Sequence, residues 1–124
     1  MRIVLASGNQ HKLAELISVL PSSLDLVFQG DFGVAAARET GLTFVENAII
    51  KARHAAKLCN LPAIADDSGL EVDYLKGSPG IHSSRYAGPR ASDAENNVKL
   101  LAELKDATTR QRNARFQSVI VFLR

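Results

Sequence analysis

The sequence predicts an α/β fold, a mixed central sheet flanked by helices, and three observations carry that prediction. Short runs of branched apolar residues, RIVLA (2–6), LDLVF (24–28), AIA (63–65) and ARFQSVIVFLR (114–124), have the length and composition of strands. Between them lie segments whose apolar residues recur with helical periodicity, and alternation of the two kinds is the pattern of a layered α/β protein. No internal repeat, low-complexity tract or linker interrupts the 124 residues, so one domain over 1–124 is expected.

Each element has its own local warrant. RIVLA is bounded by SGN, which reads as a buried strand entering a loop. Leu13, Leu16, Ile17 and Leu20 follow at i, i+3, i+4 and i+7, one apolar stripe that stops at Pro21. LDLVF alternates as a strand does and runs into Gly30 and Gly33. Thr43 and Glu46 have the spacing of a capping box, and Val45, Ala48, Ile49, Ala52, Ala55, Ala56 and Cys59 then form a buried helix face whose alanines predict close packing on a sheet. Asn60 and Pro62 end that helix. AIA is a short strand running into Asp66 and Asp67, with a bend expected at Ser68 and Gly69; LEVDYL (70–75) alternates as a further strand closed by KGSPG. Ser92 and Glu95 repeat the capping-box spacing and open a helix to about Lys105. ARFQSVIVFLR is apolar on both alternating faces from Val119 onward, which predicts an interior strand.

Composition narrows the function. A net charge of +2 is far from the dense basic stripe of a duplex nucleic-acid binder, so no nucleic-acid partner is expected and small anionic substrates fit better. Cys59 is the single cysteine, which excludes an intrachain disulfide and favours a reducing, cytoplasmic location. No charged n-region with a long apolar h-region follows Met1, and no apolar stretch reaches spanning length, so neither secretion nor membrane insertion is expected.

Two loops carry the chemistry. LASGNQHK (5–12) is a strand, a small polar loop and a first helical turn, which directs backbone N–H groups and the positive end of a helix dipole at the loop. Lys12 sits at the unfavourable end of that dipole, and a nearby phosphate would account for it. A plain β-to-α connection, with Ser7 or Asn9 as N-cap and Lys12 in solvent, accounts for the same residues equally well. Asp66 and Asp67 stand at a strand end, where one carboxylate can hold Mg²⁺ or a water while the other orients the loop or caps an N–H; a plain DDSG turn is the alternative. If the two strands are parallel neighbours, the motifs meet in the crevice beyond their carboxyl ends. Glu39, in RETG, is a candidate second acid near the metal, though a loop glutamate is usually only solvated. GSPGIHSSRYAG (77–88) reads as a mobile loop over substrate or a partner surface; His82 and Arg85 within it get no leading role.

Taken together, LASGNQHKLAEL, ETGLTFVENAIIKARHAA, LPAIADDSGLEVDYLKGSPGIHSSRYAG and ARFQSVIVFLR resemble successive segments of the inosine triphosphate pyrophosphatase family, the bacterial-type non-canonical purine nucleoside triphosphate pyrophosphatases. The resemblance implies Mg²⁺-dependent hydrolysis of ITP, dITP and XTP to the monophosphate and pyrophosphate by a cytosolic homodimer that clears damaged purine nucleotides. It implies that Ser7, Gly8, Asn9, Gln10, His11 and Lys12 hold the triphosphate, that Asp67 binds metal and activates water, and that Ser68 touches substrate. The resemblance implies an acid pair before TG; Arg38 takes the first of those positions here, so either Glu39 serves the metal alone or metal binding is weaker. Family members also continue into a GFGYDP-like and an SHR-like segment that grip the purine. Neither occurs in these residues, so a C-terminally truncated form that discriminates poorly between ITP and GTP is expected, the alternative being a weak or inactive remnant that binds nucleotide or dimerises. A receiver-type signalling domain would place its acid pair at the end of the first strand, where this chain has SGN.

Overall fold

A computed structural model describes residues 1–124. The elements are β1 (Arg2–Leu5), α1 (Gln10–Val19), β2 (Asp25–Phe28), α2 (Phe44–Cys59), β3 (Ala63–Val72), α3 (Asp93–Glu103) and β4 (Ala114–Leu123), joined in part by short 3-10 turns. The strands form one sheet in the order β2-β1-β3-β4. β1 is parallel to β2, with Arg2 opposite Asp25 and Leu5 opposite Phe28, and parallel to β3, with Val4 opposite Ala63 and Leu5 opposite Ile64. The α/β fold and central sheet expected from the alternation of strands and helices are present. No helix is long and apolar enough to cross a membrane.

The chain gathers into two compact units, residues 1–67 with 119–124, and residues 68–118. In the first, Val4, Ala6, Ala52, Ala55, Cys59, Ala63 and Ala65 form the core. Ala48, Ala52 and Ala55 of α2 are fully buried, because a methyl group lets the helix backbone come down onto the sheet. Burial also raises the Cys59 thiol above its ordinary pKa, which suits a small packed hydrophobe. α2 starts where the spacing predicts: Thr43 Oγ1 accepts the Glu46 N–H at 3.1 Å. The reciprocal half of the box differs, since Glu46 Oε2 accepts from Leu42 N–H at 2.8 Å. Asn60 ends the helix in the left-handed conformation, φ 53°.

Three expectations change here. The α1 stripe is only partly covered: Leu13, Leu16 and Leu20 are half-buried, while Ile17 is exposed. α1 packs on β2, the outermost strand, which offers too little sheet to cover the whole stripe. No bend interrupts DDSG; β3 runs unbroken through Asp66, Asp67, Ser68 and Gly69 to Val72, and LEVDYL leaves it for a 3-10 turn at Asp73–Leu75. β4 is an outer strand of this sheet and not an interior one: Val121 and Leu123 pack on the core, while Ile120 and Phe122 on the other face are 61% and 50% exposed.

In the second unit, Val72, Leu104 and Ala107 form a small core with Leu70, Leu75 and Leu100 beside it. α3 opens on a complete Ser92–Glu95 capping box, whose N–H and hydroxyl donors hold the Glu95 carboxyl below its ordinary range. The segment expected as a mobile loop is a hydrogen-bonded 3-10 turn, Gly80–Arg85. Ser83 Oγ accepts from Leu70 N–H at 2.9 Å and donates to Gly80 O at 2.6 Å, and Asn96 bonds both Ala87 N–H and Ser84 O. Tyr86 hydrogen-bonds Glu103; burial, followed by that carboxylate, pushes its pKa up to about 12.

Candidate active site

The site is set by where β1 stops. Its last ladder contact sends Ala6 N–H to Ile64 O at 2.8 Å; the chain then turns away into Ser7–Asn9 while β3 continues. Asp66 and Asp67 therefore lie beyond the carboxyl end of a parallel neighbour, beside the loop that leads into α1. The condition on which the two motifs were expected to meet, parallel adjacency of their strands, is met, and such crevices are where open α/β sheets bind ligands.

The loop itself is wound by its own side chains. Ser7 Oγ accepts Asn9 N–H at 3.0 Å, and Asn9 Oδ1, the N-cap, accepts from His11 N–H at 2.9 Å and Lys12 N–H at 3.4 Å. Three of the N–H groups expected to face an anion are thus already satisfied. Gly8, Gln10 and His11 are exposed, and a Cβ on Gly8 would meet nothing within 4 Å. Lys12 has a counter-charge that the sequence did not reveal: its Nζ lies 2.6 Å from Asp66 Oδ2.

Consecutive strand residues face opposite ways, so Asp67 meets a different cation. Lys51 Nζ, on α2, lies 3.5 Å from Asp67 Oδ1 and 3.0 Å from Glu39 Oε1, bridging the two acids expected at the metal. Asp67 is 6% exposed. Burial pushes its pKa up, Lys51 opposes this, and the negative charge of Glu39 adds to it. Asp67 Oδ2 has no hydrogen-bond partner, and neither has the Nδ2 of Asn47, a fully buried side chain of α2. An orphaned buried carboxylate oxygen costs about 1–3 kcal/mol or more, a penalty that a ligand at that oxygen would remove. Glu39 is carried by a loop fastened to the same helix. Gly41 N–H donates to Asn47 Oδ1 at 2.8 Å, and His54 Nε2 lies 2.8 Å from Ala35 O.

The structure thus brings together Glu39, Lys51 and Asp67, and separately Lys12 and Asp66 on the other face of β3. Ser68, next along the strand, is exposed. Lys51 and Asn47 escaped the sequence reading. Their signal was an amide and an ammonium at i and i+4 on the face of α2 that carries its buried alanines, a place where polar groups are seldom buried without a task.

Fold and site define an α/β protein with an acid–lysine cluster at the carboxyl ends of parallel strands. The chain belongs to the Ham1 family, whose model matches residues 3–124. It is 60% identical over 124 residues to a dITP/XTP pyrophosphatase of Shigella flexneri, covering 99% of this chain and 63% of that one. A Vibrio cholerae dITP/XTP pyrophosphatase is 57% identical, with 62% of its length covered. Among solved structures, a HAM1 protein from Coxiella burnetii superposes with a TM-score of 0.92 at 51% identity, over 99% of this chain and 63% of that one. The Staphylococcus aureus Ham1 protein gives 0.87 at 44%, over 98% and 62%. The chain spans under two thirds of the length of these relatives.

Proposed function

We propose that this chain carries the catalytic acid and phosphate loop of a pyrophosphatase that hydrolyses dITP, ITP and XTP to the monophosphate and pyrophosphate, a cytoplasmic, homodimeric enzyme that clears non-canonical purine nucleotides. The names of its relatives supply the substrate class. The observation that carries the reading is the buried, unpartnered Oδ2 of Asp67 beside Glu39 and Lys51, at the carboxyl end of a parallel strand.

The donor set fits Mg²⁺, a hard cation that takes carboxylate oxygens and keeps several waters. Glu39 and Asp67 would hold it. When bound, Mg²⁺ neutralises the charge of the phosphate chain. Lys51 favours the charged form of Asp67 and bridges the two acids. The Asp67 carboxylate orients a water and takes its proton as the water oxygen bonds to the α-phosphorus; the bond to the bridging oxygen breaks, and pyrophosphate leaves. Lys12 lies with Asp66 on the other face of β3, so the phosphate chain would have to run past the carboxyl end of β1 from Asp67 to Lys12, which would exchange Asp66 for a phosphate oxygen, with Ser7 to His11 beside it.

Pyrophosphate release from dITP, XTP and dGTP, with and without Mg²⁺, tests the reading. Asp67-dependent release from dITP and XTP is expected. Saturable nucleotide binding with no release that depends on Asp67 would replace it with a binding remnant.

A further inference from the structure

α2 carries two buried or part-buried donors one turn apart, Asn47 and Lys51. Lys51 reaches Asp67 Oδ1, and one turn earlier on the same helix stands Asn47, fully buried. Its Oδ1 is committed to Gly41 N–H at 2.8 Å, which fixes the orientation of the amide and turns Nδ2 away from that loop. Nδ2 and Asp67 Oδ2 are the two buried side-chain polar atoms without a direct partner, one a donor and the other an acceptor. The Asn47 amide also favours the charged form of Asp67, in opposition to its burial. The loop's approach to Asn47 is tight: a Cβ on Gly41 would sit 2.7 Å from Asn47 Oδ1 and 2.7 Å from Glu46 Cβ.

We propose that Asn47 is a positioning residue that couples the Glu39 loop to Asp67, holding Gly41 through Oδ1 and orienting the Asp67 carboxylate through the dipole of its Nδ2 group, with no direct hydrogen bond that would occupy Oδ2. One rigid amide then sets the separation of the two acids and the direction in which the free lone pairs of Asp67 point. A buried amide suits the task better than a second ammonium, since it orients the oxygen without neutralising it. The inference rests on the reading of Glu39 and Asp67 as the acids of the site.

Asn47→Asp separates this role from scaffolding, because it keeps an oxygen for Gly41 N–H and loses the donor; Asn47→Ala loses both without adding charge. The expected result is a fall in kcat of tenfold or more in both variants, with KM within threefold of wild type and Mn²⁺, read by its paramagnetic resonance, bound more weakly by Asn47→Ala. In ¹⁵N-labelled wild type the Asn47 side-chain amide signals, identified by their loss in Asn47→Ala or Asn47→Asp, are expected to move when Asp67→Asn is introduced. Wild-type kcat in Asn47→Asp, or amide signals indifferent to Asp67→Asn, would overturn the coupling. A wild-type chain that neither binds Mn²⁺ nor releases pyrophosphate would overturn the function reading, and the amide shift, which needs no turnover, would still decide the coupling.

Discussion

At Asp67, burial and function pull in opposite directions. Its folded-state pKa is raised, chiefly by burial, so the folded chain holds that proton more tightly than the unfolded chain. Stability therefore falls as pH rises from the ordinary aspartate value through the raised one. Asp67→Asn removes the buried charge while Lys51 keeps Glu39 at 3.0 Å. The variant should be more stable than wild type at pH 7 by about 1 kcal/mol, or about 4 °C in Tm, and should lose pyrophosphate release by ~10²-fold or more. Melts across pH check the sign, because the advantage should vanish below the ordinary aspartate pKa. An Asp67→Asn chain less stable than wild type at pH 7 would mean that the pair with Lys51 outweighs burial. Lys51→Met is expected to act the other way, leaving Asp67 and Glu39 facing each other without their shared cation, and to lower stability by about 3 kcal/mol at pH 7, less at acid pH.

At the scale of the element, α2 is both scaffold and instrument. Its outer turns pin the loop that carries Glu39, through Glu46, Asn47 and His54, while Lys51 reaches over the end of the sheet. Gly41→Ala would drive a methyl group to 2.7 Å from Asn47 Oδ1 and Glu46 Cβ, so the loop must lift from the helix. A loss of about 1–3 kcal/mol in denaturant melts is expected, with pyrophosphate release falling further than that loss of folded chain explains. Much of α2 was legible beforehand, because its cap residues and alanine spacing are local signals. β3 was harder to read: Asp-Asp-Ser-Gly has the composition of a turn, and only pairing within the sheet holds it extended. The partners of the two aspartates come from different helices, Lys12 from α1 and Lys51 from α2, and no periodicity within either segment announces a contact 54 or 16 residues away.

For the molecule as a whole, bound ligand sets stability and exposed apolar surface sets association. If Glu39 and Asp67 hold Mg²⁺ in the folded chain alone, Mg²⁺ must raise its stability by mass action, about 2.7 kcal/mol at one hundred times the dissociation constant, and Asp67→Asn must abolish the gain. The outer face of β4 makes a separate demand. Ile120 and Phe122 stand 61% and 50% exposed on a strand whose other face, through Val121 and Leu123, packs on the core. Apolar side chains alternating along an outer strand favour association, because contact removes their area from water and a strand edge can pair with another. Ile120→Thr with Phe122→Ser keeps the inward residues and their packing, so folding should survive with little loss. The double variant is expected to sediment as a smaller species than wild type at the same concentration. An unchanged distribution of sizes would show that any self-association uses another surface.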